Sequence, residues 1–177
     1  MNTEYELRIL EIDKDEMIKK LESLGATKVA DFDQKRYVYD LVPKQENKWI
    51  RLRNNGFETT LTLKNIEKNS IDGTKEIEFK VSDFEKTNEF LEAIGFKSKG
   101  YQENKRTRYM LDNVEIDIDS WPMIPTYLEI EGSSEEEVKS TLEKLSLENP
   151  KITTLNCSDI YKDIYGIDIE EYKILKF

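Results

Sequence analysis

Charged and apolar residues alternate in eight short segments of this 177-residue chain, and this pattern is the strongest constraint on its fold. The first segment, EYELRIL at residues 4–10, places Glu4, Glu6 and Arg8 at every second position. Successive side chains of a β-strand point to opposite faces, so each such segment has one charged face and one apolar face. The other segments are 35–41, 48–54, 58–65, 75–81, 104–111, 113–119 and 126–131. The sequence therefore predicts eight strands, mostly joined as hairpins.

Three further segments have the apolar periodicity of amphipathic helices, at residues 13–24, 82–95 and 133–145. Each begins at an aspartate or serine that can cap a helix, and the first two end at Gly25 and Gly95. A short fourth helix is expected after Ser158. A chain of this length has room for one well-buried domain, so we expect a single domain over residues 1–177.

The composition excludes several classes of function. The formal net charge of -10 argues against a nucleic-acid partner and against binding to an acidic membrane. The chain has no histidine and one cysteine, which excludes a disulfide framework, a Cys/His zinc site and a histidine-activated nucleophile. Metal binding by carboxylates remains open. No signal region and no stretch of about 20 apolar residues is present, so we expect a cytoplasmic protein without membrane contact.

The placement of arginine indicates phosphate recognition rather than an ordinary solvated sheet face. Lysine outnumbers arginine 21 to 6, yet five of the six arginines occupy the alternating strand positions. These are Arg8, Arg51, Arg53, Arg106 and Arg108. Like charges also recur on one face of six strands, where a merely soluble surface would mix signs. The planar guanidinium binds phosphate oxygens in pairs, so this selective placement favours a phosphate ligand.

These observations predict a mainly β, α+β fold: a closed, eight-stranded antiparallel β-barrel with flanking amphipathic helices. The charged faces would line a hydrated tunnel, because so many charges are tolerated inside only when paired, hydrated or bound to ligand. The apolar faces would point outward, under the helices or a partner protomer. A barrel for apolar ligands fits poorly, since its lumen needs the apolar face inside.

The N-terminal EYELR resembles the ExExK signature of the CYTH superfamily, the triphosphate tunnel metalloenzymes. That superfamily includes class IV adenylyl cyclases, thiamine triphosphatases and inorganic triphosphatases. The resemblance spans nearly the whole chain and keeps the order of the motifs. After EYELR come Arg51 and Arg53 in IRLR, Lys64 in LTLK, Glu76 and Glu78 in KEIEF, Arg106 in KRTRY, Asp119 in DID, and Glu129 and Glu131 in YLEIEG.

The resemblance implies a division of labour inside the tunnel. Glu4, Glu6 and Arg8 would form the catalytic set. Hard oxygen ligands for Mg²⁺ or Mn²⁺ would come from Glu4, Glu6, Asp119, Glu129 and Glu131. The triphosphate would be held by Arg8, Arg51, Arg53, Lys64, Arg106 and Arg108. Glu76 and Glu78 would either complete the metal shell or hold arginines in place.

Two departures from the family pattern bear on specificity. Arg8 stands where the family usually has lysine, so a mechanism that needs a neutral amine there is in doubt. Arg36 stands where many relatives have aspartate.

The register near Arg106 has an alternative, in which a bulge would turn Lys105 inward. Cys157 is interpreted as inert, because no histidine can activate it.

The resemblance favours a class IV adenylyl cyclase-like enzyme that converts ATP to cyclic AMP and pyrophosphate. The strand tyrosines Tyr37 and Tyr39 support this reading if they stack on a base, although packing is the commoner role of Tyr37, Tyr39 and Tyr109. Hydrolysis of inorganic or thiamine triphosphate is the main alternative, and a non-catalytic nucleotide- or polyphosphate-binding module is another. The partner is thus a nucleoside triphosphate or another triphosphate compound. Likeness to the cyclases also implies a homodimer.

Overall fold

The computed structural model describes all residues from Met1 to Phe177. Its main strands are β1 (Asn2–Leu10), β2 (Thr27–Gln45), β3 (Lys48–Asn54), β4 (Thr59–Ile66), β5 (Thr74–Val81), β6 (Ser98–Leu111), β7 (Val114–Ser120) and β8 (Tyr127–Gly132), with two short strands, β9 (Lys151–Thr153) and β10 (Ile174–Leu175). The α-helices are α1 (Lys14–Ser23), α2 (Phe84–Ala93), α3 (Glu135–Leu145) and the short α4 (Cys157–Asp159). A π-helical turn, Ile160–Ile164, continues α4, and a 3₁₀ turn follows at Ile169–Glu171.

The eight main strands form a closed antiparallel barrel, as the sequence predicts. The strand order is β6-β2-β3-β4-β5-β1-β8-β7, and β7 pairs with β6 to complete the circle. The strands β2 and β6 are longer than predicted, because they pair with each other from Thr27 opposite Met110 to Tyr39 opposite Ser98. The short strands β9 and β10 add to the outer edges of β1 and β6.

The three predicted amphipathic helices are present with ends within two residues of the predicted ones, although α2 and α3 are capped by Asp83 and Ser134 instead of the predicted Ser82 and Ser133. The side chains of Asp13, Asp83 and Ser134 accept hydrogen bonds from backbone N–H groups three residues ahead, which caps α1, α2 and α3. Gly25 and Gly95 follow α1 and α2 with φ of 83° and 101°, a region that favours glycine. No helix of the chain is long and apolar enough to span a membrane.

The hydrophobic core lies outside the barrel, between its outer face and the helices. The helices α1 and α3 cover β1, β7 and β8 through a cluster that includes Leu7, Leu21, Ile116, Ile130 and Val138. A second cluster joins α2 to β2 and β3. A third packs the segment from Ile160 to Leu175 onto Trp121 and Tyr127, whose side chains also reach the cavity. The apolar faces therefore point outward, which leaves the inside to the charged side chains.

One part of the outer face has no helix over it. On β5, Ile77 and Phe79 are 47% and 53% exposed. A partner protomer could cover this face, and the homodimer stays a prediction.

Candidate functional site

The barrel encloses a charged cavity of about 530 Å³, lined by the inward faces of the strands and by residues 156–159. Every side chain that the sequence assigns to the site lies on this wall. They are Glu4, Glu6, Arg8, Arg51, Arg53, Lys64, Glu76, Glu78, Arg106, Arg108, Asp119, Glu129 and Glu131. The period-two alternation of the strands brings them together, because every second residue of each strand faces inward.

Ion pairs on β1 hold the proposed catalytic residues. Lys64 Nζ donates to Glu4 at 2.8 Å, and Arg8 donates to Glu6 at 2.7 Å and pairs with Glu129 at 2.6 Å. Burial opposes the charge of Arg8, but Glu129 and Glu6 outweigh it and hold the pKa of Arg8 well above its usual value. Arg8 therefore remains protonated, so it can bind an anion but cannot act as a base.

Carboxylates enclose the two arginines of β6. Arg106 pairs with Asp117 at 2.6 Å and Glu129 at 3.0 Å, and both oxygens of Asp119 accept hydrogen bonds from it. Arg108 makes a two-pronged contact with Asp117, at 2.9 and 2.8 Å. These arginines have less charge left for a ligand than the sequence suggests. Sequence reasoning missed Asp117, although it lies between charged residues in the EIDID alternation.

A cation surplus exists on β3, which is separated from β6 by β2 alone. Arg51 and Arg53 share a single carboxylate, Glu78, at 3.2 and 3.4 Å, and Thr62 donates to the same oxygen at 2.6 Å. Burial, with the neighbouring arginines, lowers the pKa of Arg53 to about 9. Glu78 here supports the arginines, which is one of the two roles predicted for it. Two guanidiniums that share one carboxylate leave an excess of positive charge on this strand.

A carboxylate surplus exists near the ends of β7 and β8. Burial raises the pKa of Glu131 to about 8, and the neighbours that raise it further are the carboxylates of Glu129, Glu4, Glu115 and Glu6. Burial likewise raises the pKa of Glu115 to about 7. Glu115 pairs with Arg108 at 2.5 Å, whereas Glu131 has no cation within ion-pair distance. Even so, no three carboxylates converge as a preformed metal-binding group, because ion pairs hold Glu4, Glu6 and Glu129.

The sixth arginine also faces the cavity, and sequence reasoning did not include it in the site. Arg36 on β2 lies opposite Arg53 of β3. It donates to the amide oxygens of Gln34 and Asn104 and has no carboxylate within ion-pair distance. The alternation that identified the other five arginines could also have identified Arg36. Val38 and Asp40, two and four residues further along β2, line the cavity as well.

The strand tyrosines have the packing role. Tyr37 stacks on Phe84 of α2 at 5.3 Å between ring centroids, Tyr39 is buried in the same outer cluster, and Tyr109 lies in the core under α1 and α3. None of them lines the cavity. The argument for a nucleobase that rested on Tyr37 and Tyr39 is therefore lost. Trp49 does lie on the cavity wall.

Two further interpretations hold in the structure. The pairing of β6 with β7 is regular through Lys105 and Arg106, so Arg106 faces inward while Lys105 is exposed over the ring of Phe177. Cys157 lines the cavity, and burial raises the pKa of its thiol to about 12. A thiol with that pKa is protonated near neutrality, as expected for an inert side chain.

The CYTH domain matches residues 2–156 of the chain. The chain belongs to the CYTH domain family. Residues 157–177 lie beyond the match, and some of them, including Cys157, Ser158 and Asp159, line the cavity. No curated protein matches the sequence.

Solved structures resemble this CYTH domain along most of its length. The PH1012 protein of Pyrococcus horikoshii OT3 is 27% identical, covers 82% of this chain and 92% of its own, and has a TM-score of 0.72. A candidate adenylate cyclase of Vibrio parahaemolyticus is 14% identical, covers 94% of this chain and 99% of its own, and has a TM-score of 0.74. HpAC1 of Hippeastrum is a candidate adenylyl cyclase with a dominant triphosphatase activity. It is 17% identical, covers 94% of this chain and 96% of its own, and has a TM-score of 0.61. The last two likenesses are of fold.

Proposed function

We propose that this CYTH domain is a divalent-metal-dependent enzyme that hydrolyses a triphosphate compound inside its tunnel. The observation that carries the proposal is the separation of charge across one cavity. Arg51 and Arg53 share one carboxylate on β3, whereas Glu131 is crowded by carboxylates on the facing wall. A triphosphate bound with a cation would supply the missing charge on both walls at once.

The carboxylate wall suits a hard divalent cation such as Mg²⁺ or Mn²⁺. Glu131 and its neighbours Glu4, Glu6 and Glu129 would hold the ion through oxygen ligands, which both metals prefer. The ion would neutralise phosphate charge and orient the reacting group. Asp119 also stays a predicted ligand, although both of its oxygens accept from Arg106 in this structure.

The protein's cations would hold the phosphate chain. Arg51 and Arg53 would exchange part of their contact with Glu78 for phosphate oxygens, and Lys64 would move between Glu4 and the ligand. Such fixed cations stabilise the charge that builds up on a leaving phosphate, and they exclude bulk water from it. Arg8 would stay protonated and position Glu6 and Glu129.

The lining of the cavity favours hydrolysis over cyclisation. A cyclase must hold a ribose and a base beside the reacting phosphate, whereas hydrolysis of tripolyphosphate needs only a charged bore. Tyr37, Tyr39 and Tyr109 pack outside the barrel, and Tyr127, which does line the cavity, is buried in the cluster around Trp121. HpAC1, which shares the fold, has a dominant triphosphatase activity. Cyclisation of ATP is the second candidate, and the aromatic ring of Trp49 on the cavity wall favours it.

Product analysis tests the proposal. The purified protein would be incubated with tripolyphosphate, ATP or thiamine triphosphate, each with Mg²⁺, with Mn²⁺ or with EDTA. We expect orthophosphate from tripolyphosphate, dependence on the metal, and no cyclic nucleotide. Cyclic AMP and pyrophosphate from ATP would establish the cyclase instead. Tight binding of every triphosphate without turnover would make the protein a binding module.

A further inference from the structure

Arg36 is the one arginine of the chain without an ion pair. The other five each lie within 4.0 Å of a carboxylate oxygen. Arg36 is 8% exposed, and its only hydrogen-bond acceptors are the neutral amides of Gln34 and Asn104. A buried charge without a counter-ion is costly, so a chain that retains one has a reason beyond stability.

Two residues in contact, Arg36 and Trp121, each have a buried N–H donor without an acceptor. The guanidinium carbon of Arg36 lies 4.5 Å from the centre of the Trp121 ring. Arg36 Nε and Trp121 Nε1 are both buried without a hydrogen-bond partner, and both residues line the cavity. Buried donors normally find an acceptor, so the pair indicates a missing group that carries oxygen.

The surroundings of this pair define a cationic corner of the cavity. Arg36 lies across the strand pairing from Arg53, and the charges of Arg51 and Arg106 add to burial in lowering the pKa of Arg36 to about 10. The ring of Tyr161 packs edge-on against Trp121, with centroids 6.2 Å apart, and fixes its position. The corner is thus rigid, cationic and short of acceptors.

We propose that Arg36 and Trp121 form an oxyanion pocket, additional to the cations assigned to the triphosphate, that binds a phosphate group. The guanidinium offers a charge-assisted hydrogen bond through Nε, and the indole adds a neutral one. The phosphate is either the terminal phosphoryl group of a linear polyphosphate or free orthophosphate. The first source rests on the proposed function, whereas the pocket itself does not.

The test is calorimetric titration of the metal-free, full-length protein with sodium orthophosphate. We expect Arg36→Gln to weaken binding about 10- to 100-fold, as the loss of a hydrogen bond to a charged group does. Trp121→Phe keeps the ring and should weaken binding about threefold to tenfold. The matched control is Lys35→Gln, which removes the same charge from the neighbouring residue, whose exposed side chain pairs with Glu85.

Thermal unfolding gives a second readout. Without ligand, Arg36→Gln should melt at the same or a higher temperature than the parent, because an unpaired buried charge is removed. The rise in melting temperature caused by orthophosphate should shrink in Arg36→Gln and persist in Lys35→Gln. Equal orthophosphate affinity in the parent and Arg36→Gln, or no affinity in either, would overturn the pocket and leave the two donors to water.

A competition experiment separates the two sources. Orthophosphate would be titrated into protein saturated with tripolyphosphate. Competition assigns the pocket to the terminal phosphoryl group, whereas independent binding that depends on Arg36 assigns it to free orthophosphate. Because all of these measurements are made without metal and without turnover, failure of the proposed enzyme activity would leave the result on the pocket intact.

Discussion

At the scale of single residues, the site is defined by imbalance between neighbouring charges. Arg106 pairs with several carboxylates, Arg53 shares the carboxylate of Glu78 with Arg51, and Arg36 pairs with no carboxylate. Glu131 has the opposite imbalance, since its neighbours are carboxylates. Arginines at different positions of the cavity therefore differ in how much charge they leave for a ligand.

The crowding of Glu131 predicts a pH dependence of stability in the metal-free protein. Burial among carboxylates raises its pKa from 4.5 to about 8, so its contribution to stability is full below pH 4.5 and is lost as the pH rises through about 8. The full shift corresponds to about 5 kcal/mol at about 1.4 kcal/mol per pKa unit, and solvent screening of the half-buried side chain should reduce the loss to roughly 2–4 kcal/mol. Urea unfolding of the parent and Glu131→Gln at pH 5 and pH 8.5 measures it.

Glu131→Gln should lose the share of the pH dependence that Glu131 contributes and be more stable than the parent at pH 8.5, while the raised pKa of Glu115 leaves a smaller dependence of the same sign. The exposed Glu89 on α2 offers a matched control, and Glu89→Gln should behave as the parent does. An unchanged slope in Glu131→Gln would place the pH dependence elsewhere.

Arg53 should contribute to catalysis through its free donors. We expect Arg53→Gln to lower kcat/KM for tripolyphosphate about 10- to 100-fold, because a charge-assisted hydrogen bond of about 1.5–3 kcal/mol is lost. Arg53→Lys should recover only part of this, since the ammonium cannot bind two oxygens in a plane. Steady-state phosphate release measures the effect, with Lys139→Gln on the exposed face of α3 as control. Parent-like kinetics in Arg53→Gln would remove Arg53 from the site.

At the scale of elements, one hairpin carries both a core and a wall of the site. Strands β2 and β3 present Arg36, Arg51 and Arg53 to the cavity, while Tyr39 and Leu52 lie outside under α2. The helix thus holds the arginines in place from behind, without any contact with a ligand.

Leu91 on α2 tests this separation. Leu91→Ala should destabilise the fold by about 2–5 kcal/mol, because a buried leucine leaves a cavity in the cluster under α2. Leu91→Met, which nearly conserves volume, should cost less than about 1.5 kcal/mol. Chemical denaturation measures both, and kcat of the folded Leu91→Ala protein should stay within about twofold of the parent. A large fall in kcat would mean that α2 controls the arginines more directly.

Much of this element structure could be predicted from the sequence, for identifiable reasons. Alternation marks all eight barrel strands and selects their inward faces, and caps mark the helices. The first half of β2, TKVADFDQ, has a weaker pattern and forms only through its long pairing with β6. Strands β9 and β10 are too short to leave a periodic signal.

The charge pairs of the site depend on register, which the sequence does not contain. Arg8 meets Glu129, and Arg106 meets Asp119, because they lie opposite each other across strand pairs. A shift by one residue would turn each face over. The identity of the cavity residues was thus predictable, whereas their partners were not.

At the scale of the whole molecule, the segment after the family match belongs to the same packed unit. Ile160, Tyr161, Ile169 and Leu175 pack with Leu10 and with Trp121 beside the barrel. We therefore propose that residues 1–177 form a single domain.

The net charge of -10 predicts an unusual salt dependence of association. At long range the molecule repels a polyanion, although the cavity attracts it locally. Raising the ionic strength from about 0.01 M to 0.15 M shortens the Debye length from about 30 Å to about 8 Å, which should screen the repulsion first. We expect the association rate of metal-free tripolyphosphate to rise about twofold or more, measured by stopped flow. A falling rate would show that the cavity's own field dominates.

The outward-facing core separates the residues that fold this chain from those that meet a ligand. Leu7 and Ile130 stabilise the barrel from outside, and exchange of an inward-facing side chain such as Arg36 would leave their packing unchanged. Such a barrel can change what it recognises by exchanging inner side chains, with little risk to folding. The reaction can therefore change during evolution while the fold stays the same. For this reason the charges on the tunnel wall are a better guide to the reaction than the shape of the tunnel.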